Sequence, residues 1–127
     1  MIYSLRVHYE DTDFSGYVYH ANYLKFCERA RSEYLRNKGV DQNAMFKNGE
    51  AFVVRRMACD FLKPARFEDE LSVETDFRAM SGACFDLVQA IKRSGITHFT
   101  AEVTVVLIDA RGKPKRISQE LAKALLT

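Results

Sequence analysis

Several common signatures are missing from this 127-residue chain. There is no C-x-x-C pair. The three cysteines, Cys27, Cys59 and Cys84, are odd in number and widely spaced, so neither zinc binding nor dithiol redox chemistry is signalled. Each sits among apolar neighbours and reads as a small buried hydrophobe, which suits a reducing compartment. A charge excess is missing too. Nineteen lysines and arginines oppose 17 aspartates and glutamates, for a formal charge of +2. That balance excludes a general nucleic-acid binder while leaving room for a local basic patch. No apolar run approaches the ~20 residues of a membrane-spanning helix. The opening residues Met1–Arg6 lack the basic-then-apolar order of a secretory signal. The expectation is a soluble cytoplasmic protein. No internal repeat, linker or low-complexity segment divides residues 1–127, so a single domain is expected. At 47% hydrophobic residues the composition is globular.

What is present is a strand, one long helix and four further strands. Residues 2–10 alternate, with Tyr3, Leu5, Val7 and Tyr9 on one face and Ser4, Arg6, His8 and Glu10 on the other, the pattern of a half-buried strand. Residues 21–38 carry an apolar stripe through Tyr23, Cys27, Ala30 and Tyr34 opposite Lys25, Arg29, Ser32 and Arg36, which predicts a helix ~27 Å long. Gly39 suits its C-terminal cap. Residues 41–50 read as a loop with one helical turn near Ala44–Phe46. Four strands are then expected. Ala51–Phe61 places Ala51, Val53, Met57, Cys59 and Phe61 together, and Pro64 ends it. Leu71–Ala79 turns Leu71, Val73, Thr75, Phe77 and Ala79 inward. Cys84–Lys92 does the same with Phe85, Leu87 and Ile91, and Ile96–Ile108 with Phe99, Ala101, Val103, Val105 and Leu107. The short turns at Ser81-Gly82 and Ser94-Gly95 imply antiparallel hairpins. Ser118 would cap a short final helix over Glu120–Leu126. One helix cannot cover both faces of five strands. A curved sheet wrapped around it, with the outer face and edges left for a partner chain, is the expected α+β architecture.

The junction between the first strand and the helix holds the chemistry. Glu10-Asp11-Thr12-Asp13 admits three readings: Asx-type turn bonding, hard oxygen ligation of a metal, or a catalytic carboxylate. The last requires fixed donors ~3 Å from a developing oxyanion. Gly16 permits a tight turn, and the first-turn amides of His20, Ala21 and Asn22 would be free donors at the positive end of the helix. Asp13 could then reach a polarised carbonyl or an attacking water. The His20 imidazole could bond substrate or cap the helix; its backbone role needs neither. Tyr17, Tyr19 and Tyr23 would line pocket or core, with Gly16, Tyr19 and Asn22 as candidate substrate-binding residues. A serine triad is not signalled, because Ser15 lacks a G-x-S-x-G elbow. Cys27 suits packing better than attack. Glu28 reads as an intrahelical partner of Arg31 or Ser32.

The run Tyr9-Glu10-Asp11-Thr12-Asp13, followed by Gly16-Tyr17-Val18-Tyr19-His20-Ala21-Asn22-Tyr23 and Glu28-Arg29-Ala30-Arg31, resembles the hotdog-fold thioesterases of the 4-hydroxybenzoyl-CoA thioesterase class. Within that class it is most similar to the bacterial Tol–Pal-associated acyl-CoA thioesterases. Phe52-Val53-Val54, Pro64-Ala65 and Val73-Glu74-Thr75 add weaker support. The resemblance implies a hotdog fold, in which a five-stranded antiparallel sheet wraps one long helix. It implies dimers joined sheet edge to sheet edge, often paired into homotetramers, and no metal or dissociable cofactor. Asp13 matches the family's catalytic carboxylate, as nucleophile or as base on water. The His20 amide matches the group that polarises the thioester carbonyl. The substrate would be an acyl-CoA. An alternative is a scaffold that holds an acyl-carrier protein or another lipid-synthesis partner, with incidental thioesterase activity. One departure concerns CoA: Ser81-Gly82-Ala83 stands where the 4-hydroxybenzoyl-specific enzymes carry a basic cluster. Lys113, Lys115 and Arg116 are the candidates for the CoA phosphates, with Arg55, Arg56, Lys63 and Arg66 behind them. A solvated basic loop is the competing account.

Overall fold

Apolar alternation and two tight turns fold the C-terminal two-thirds of the chain into one curved sheet. A computed structural model describes residues Met1–Thr127. Its strands are β1 (Ile2–Arg6), β2 (Ala51–Phe61), β3 (Glu70–Ser81), β4 (Cys84–Arg93) and β5 (Ile96–Ile108), and its helices are α1 (Asn22–Asn37), α2 (Gln42–Lys47) and α3 (Gln119–Leu126). All pairings are antiparallel, in the order β1-β3-β4-β5-β2. The inner face buries Leu71, Val73, Phe77, Phe85, Leu87, Ile91, Phe99, Ala101, Val103 and Leu107 against the Tyr23, Phe26, Cys27, Ala30 and Tyr34 stripe of α1. Burial of this kind, at roughly 25 cal/mol per Å² of apolar surface, is what holds the helix in the sheet's concavity. The expected wrapped-helix architecture is thus the observed one. The helix lies against β3 and β1, and near its start Tyr23 meets Phe61 of β2 edge-on at 5.9 Å.

Local departures from simple alternation have visible causes. β1 stops at Arg6, and Tyr9–Asp11 form a single 3-10 turn. Tyr9, expected inward, is therefore exposed. A bulge between Val54 and Arg56 inserts an extra residue into β2. Phe52, paired with Leu107, packs on the core, and after the bulge Met57 and Cys59 do so. Ala51 and Val53 therefore do not share a face with Met57 and Cys59, which corrects the expected register. A second bulge between Phe77 and Ala79 leaves Ala79 exposed and hands the inward position to Met80. The helical turn near Ala44–Phe46 is α2, whose N-cap Asp41 accepts from the Ala44 amide at 3.1 Å. Ser118 caps α3 through the Leu121 amide at 3.1 Å. The Tyr34 hydroxyl ties α1 to α3 at the Leu125 carbonyl, 2.7 Å away. No helix is long and apolar enough to cross a membrane.

Candidate active site

The junction between β1 and α1 is a tightly bonded loop. Asp11 accepts the His8 amide at 2.8 Å, and the Thr12 hydroxyl donates to the Tyr9 carbonyl at 2.7 Å. These two side chains shape the turn, as their short polar type predicts. The Asp13 amide donates to the Tyr17 carbonyl, and the Gly16 amide returns to the Asp13 carbonyl, both at 3.0 Å. Gly16 sits at φ +86°, with open space where a Cβ would be; its backbone conformation, and not crowding, calls for glycine. Val18 is buried and donates to the Ala65 carbonyl at 2.9 Å. That bond pins the loop to the segment between β2 and β3.

At the centre of the loop stands Asp13. Its Oδ1 accepts from the Ser15 amide at 2.8 Å and the Ser15 hydroxyl at 2.5 Å, while no group bonds Oδ2. The Ser15 hydroxyl bond is the chief reason that the Asp13 carboxyl lies below the usual aspartate range. The Ser15 amide adds to it, partial desolvation opposes, and the charge of His20 helps. The turn-bonding reading is the observed one at Asp13, and that turn holds the carboxylate ionised with one oxygen free.

Beyond Gly16 the chain rises into α1. The Asn22 amide donates to the Tyr19 carbonyl at 2.8 Å, so of the three amides expected to be free it is engaged. The His20 and Ala21 amides donate to no acceptor in the protein. They lie at the positive end of a 16-residue helix, where unpaired donors and the dipole together favour a developing negative charge. The His20 ring packs edge-on against Tyr19 at 4.7 Å and Phe61 at 6.1 Å. Tyr19 is exposed beside it. Asn22 is buried, and its Nδ2 holds the Asp11 carbonyl at 2.9 Å; its side chain ties loop to helix instead of lining an open pocket. Tyr23 is a core residue, stacked on Phe99 at 5.2 Å with its hydroxyl accepting the Ala65 amide at 3.0 Å. Burial pushes its phenol up. Cys27 is fully buried, and burial pushes its thiol up to about 12, which leaves it unionised and unreactive.

The cations divide between two ends of the molecule. Arg66 lies beside the loop, its Nη2 donating to the Tyr17 hydroxyl at 3.0 Å and its guanidinium over the Tyr17 ring at 5.0 Å. Lys113, Lys115 and Arg116 follow the far end of β5, where Lys115 pairs with Glu50 at 3.0 Å. Within one chain that loop is about 30 Å from the Phe99 end of β5 that packs beneath Tyr23, at ~3.3 Å per strand residue. Glu28 accepts the Ser32 hydroxyl at 2.9 Å, the second of its two expected partners. Arg31 is the other expected partner of Glu28. It bonds instead to Gln89, a fully buried amide on the inner face of β4. The signal for this pair was a polar residue at an inward position between Leu87 and Ile91.

The chain is similar to known proteins over nearly its whole length. The profile described as the thioesterase-like superfamily matches residues 7–125. The acyl-CoA thioester hydrolase YbgC of Escherichia coli is 40% identical over 119 residues, covering 92% of this chain and 89% of its own length. The acyl-CoA thioesterase YbgC of Haemophilus influenzae is 39% identical over 122 residues, covering 94% and 90%. The crystal structure of a probable thioesterase from Bartonella henselae superimposes with a TM-score of 0.89 at 38% identity, over 93% of this chain and 98% of that one.

Proposed function

The chain belongs to the thioesterase-like superfamily, and from that premise we propose that it hydrolyses acyl-CoA thioesters, with Asp13 making the attack and the start of α1 polarising the carbonyl. The observation that carries this reading is the pairing of an ionised carboxylate, one oxygen free, with two unpaired amides seven and eight residues on. The thioester oxygen would accept from the His20 amide, with the Ala21 amide beside it. Each such donor is worth ~3 kcal/mol in the transition state. Asp13 Oδ2 then either adds to the thioester carbon, expelling CoA thiolate and leaving an anhydride for water to cleave, or takes a proton from the attacking water. Gly16 and Tyr19 border the acyl or pantetheine path.

A second copy completes the molecule in this reading. β2 is a long free edge that exposes Val53 and Val54, and unpaired ladder groups on such an edge call for a cover. Pairing β2 with its own copy supplies one and brings the basic loop at Lys113, Lys115 and Arg116 of the partner subunit towards the catalytic loop. Arg66 is the cation for CoA phosphate within a single chain. The three cysteines are all free thiols, which fits the reducing, cytoplasmic setting expected from their spacing.

Asp13→Asn keeps the shape and removes the charge. Assayed over short, long and aromatic acyl-CoAs, the variant is expected to lose ~10²–10⁴-fold in kcat for the preferred substrate. Turnover at the wild-type rate would overturn the mechanism. The same variant separates enzyme from acyl-carrier-protein scaffold, because a scaffold keeps its cellular role without the carboxylate. Single turnover in ¹⁸O water distinguishes the two roles of Asp13: label in its carboxylate marks the anhydride route.

A further inference from the structure

Beside α1, the inner face of the sheet holds one fully buried amide. Gln89 Nε2 donates to the Cys27 carbonyl at 2.9 Å and to the Thr75 hydroxyl at 3.0 Å. Those two bonds use both amide hydrogens and turn Oε1 the other way. Oε1 accepts from Arg31 Nη1 at 2.9 Å. Arg31 is therefore positioned by an amide that cannot rotate. No carboxylate lies within ion-pair distance of it, because Glu28, one turn earlier, is bonded to Ser32. Burial pulls the Arg31 pKa down from the usual arginine value, and the neighbouring Cys27 and Glu28 oppose that shift only in part, so the half-buried guanidinium is incompletely compensated. None of its nitrogens is both enclosed and unpaired, so the remaining donors open into the adjoining space. That space is a cavity of about 160 Å³ with Leu35, Phe52, Phe77 and Val105 on its apolar side and Glu28, Ser32 and Gln42 also in its lining.

The position of this chamber along β2 decides what it can serve. It adjoins Phe52 and Val54 at the start of the strand, whereas Phe61, at the other end, touches the His20 ring at 6.1 Å. Antiparallel pairing of β2 with a copy of itself, centred near the bulge, sets Phe52 of one chain against Phe61 of the partner subunit. Adjacent strands are ~4.8 Å apart. The chamber then lies on the order of 10 Å from the catalytic loop of the other chain, by one strand spacing and one ring contact.

We infer that Arg31 is the residue that selects the acyl group bound at the partner subunit's catalytic loop, and that it selects one ending in a carboxylate, as in the monothioester of a short dicarboxylic acid. The forked guanidinium donors match a carboxylate in two bonds, the apolar side of the cavity takes the methylenes between, and the carboxylate supplies the direct ion pair that Glu28, bonded to Ser32, does not make. This inference rests on the dimeric acyl-CoA hydrolase reading above.

Glutaryl-CoA and valeryl-CoA test it, since they share a five-carbon chain that ends in a carboxylate or a methyl. The quantity read is the ratio of their kcat/KM values. Arg31→Met is expected to lower that ratio at least tenfold, and Arg31→Lys, which keeps the charge and loses the fork, to lower it by less. Cooperative thermal melts establish that each variant is folded, and the lysine variant serves alone if the methionine variant is not. A ratio unchanged in the folded variants overturns the role of Arg31 while leaving the hydrolase reading intact. A wild-type protein that cleaves neither ester overturns that reading and this one together. Mixed dimers of Asp13→Asn with Arg31→Met chains decide which chain is read. Their one site with an intact Asp13 faces an intact Arg31 only if the residue acts across the interface, so the wild-type ratio is expected. The Arg31→Met ratio in mixed dimers would overturn the assignment.

Discussion

At the scale of single residues, Asp13 and its neighbours separate into roles that experiment can pull apart. Ser15 lowers the Asp13 pKa through two bonds to one oxygen. The folded value lies below the unfolded one, so the carboxylate stays ionised, and the loop keeps that stabilisation, until pH falls through the depressed folded value. The acid limb of kcat/KM is expected to follow it. Ser15→Ala should move that limb to higher pH, read from pH–rate profiles; an unmoved limb would detach it from Asp13. His20→Ala should cost less than about tenfold in kcat, against ~10²–10⁴-fold for Asp13→Asn, because the proposed mechanism uses the His20 amide, which survives the loss of the ring. Cys27, with its thiol pushed up to about 12, should resist iodoacetamide at pH 8 in the native protein and react once unfolded, as peptide mass spectrometry would show. Legibility at this scale was uneven. Asp13, Gly16 and His20 stand close together in the chain, and turn chemistry makes them visible. Arg31 and Gln89 are 58 residues apart, and only the fold joins them.

At the scale of elements, periodicity revealed each strand and the long helix, because burial on one face writes itself into residue spacing. It missed the bulges in β2 and β3 and a third register shift between Ile91 and Lys92, where β5 carries the extra residue. A bulge shifts the pattern by one residue without changing composition, so Val53 and Ala79 keep an inward look in the sequence while lying exposed in the fold. The start of α1 was placed to within one residue, yet the free amides could not be assigned to residues until the Tyr19–Asn22 bond was seen. Asn22 is the mechanical link between helix and loop. Asn22→Ala removes one of the two hydrogen bonds to the Asp11 carbonyl, which keeps the Tyr19 amide, at a cost of about 1 kcal/mol in urea denaturation. The same change should lower kcat about tenfold, since a displacement near 1 Å at a reacting centre can cost ~10²-fold. Loss of stability with undiminished kcat would show that the loop holds its shape without this tie.

At the scale of the whole molecule, the two sheet edges are unequal. β1 is five residues long, while β2 runs for 11. A short edge is protected by its length; a long one exposing adjacent valines is not. The same asymmetry explains the split of the site, with the carboxylate and amides near one end of β2 and the guanidinium chamber near the other. In the proposed dimer an antiparallel copy would bring these halves together twice, once at each end of the paired strands, so assembly and catalysis should fail together. Val53→Lys tests this. The residue is 41% exposed, so a charge there should leave the fold of one chain intact while setting two ammonium groups on the paired edge. Sedimentation is expected to show a multiple of the 14.6 kDa chain mass for the native protein, twice for a dimer or four times for the tetramer of paired dimers. The variant should fall to a single chain with its melting transition cooperative and its thioesterase activity lost. A monomeric variant that retained full activity would confine the site to one chain.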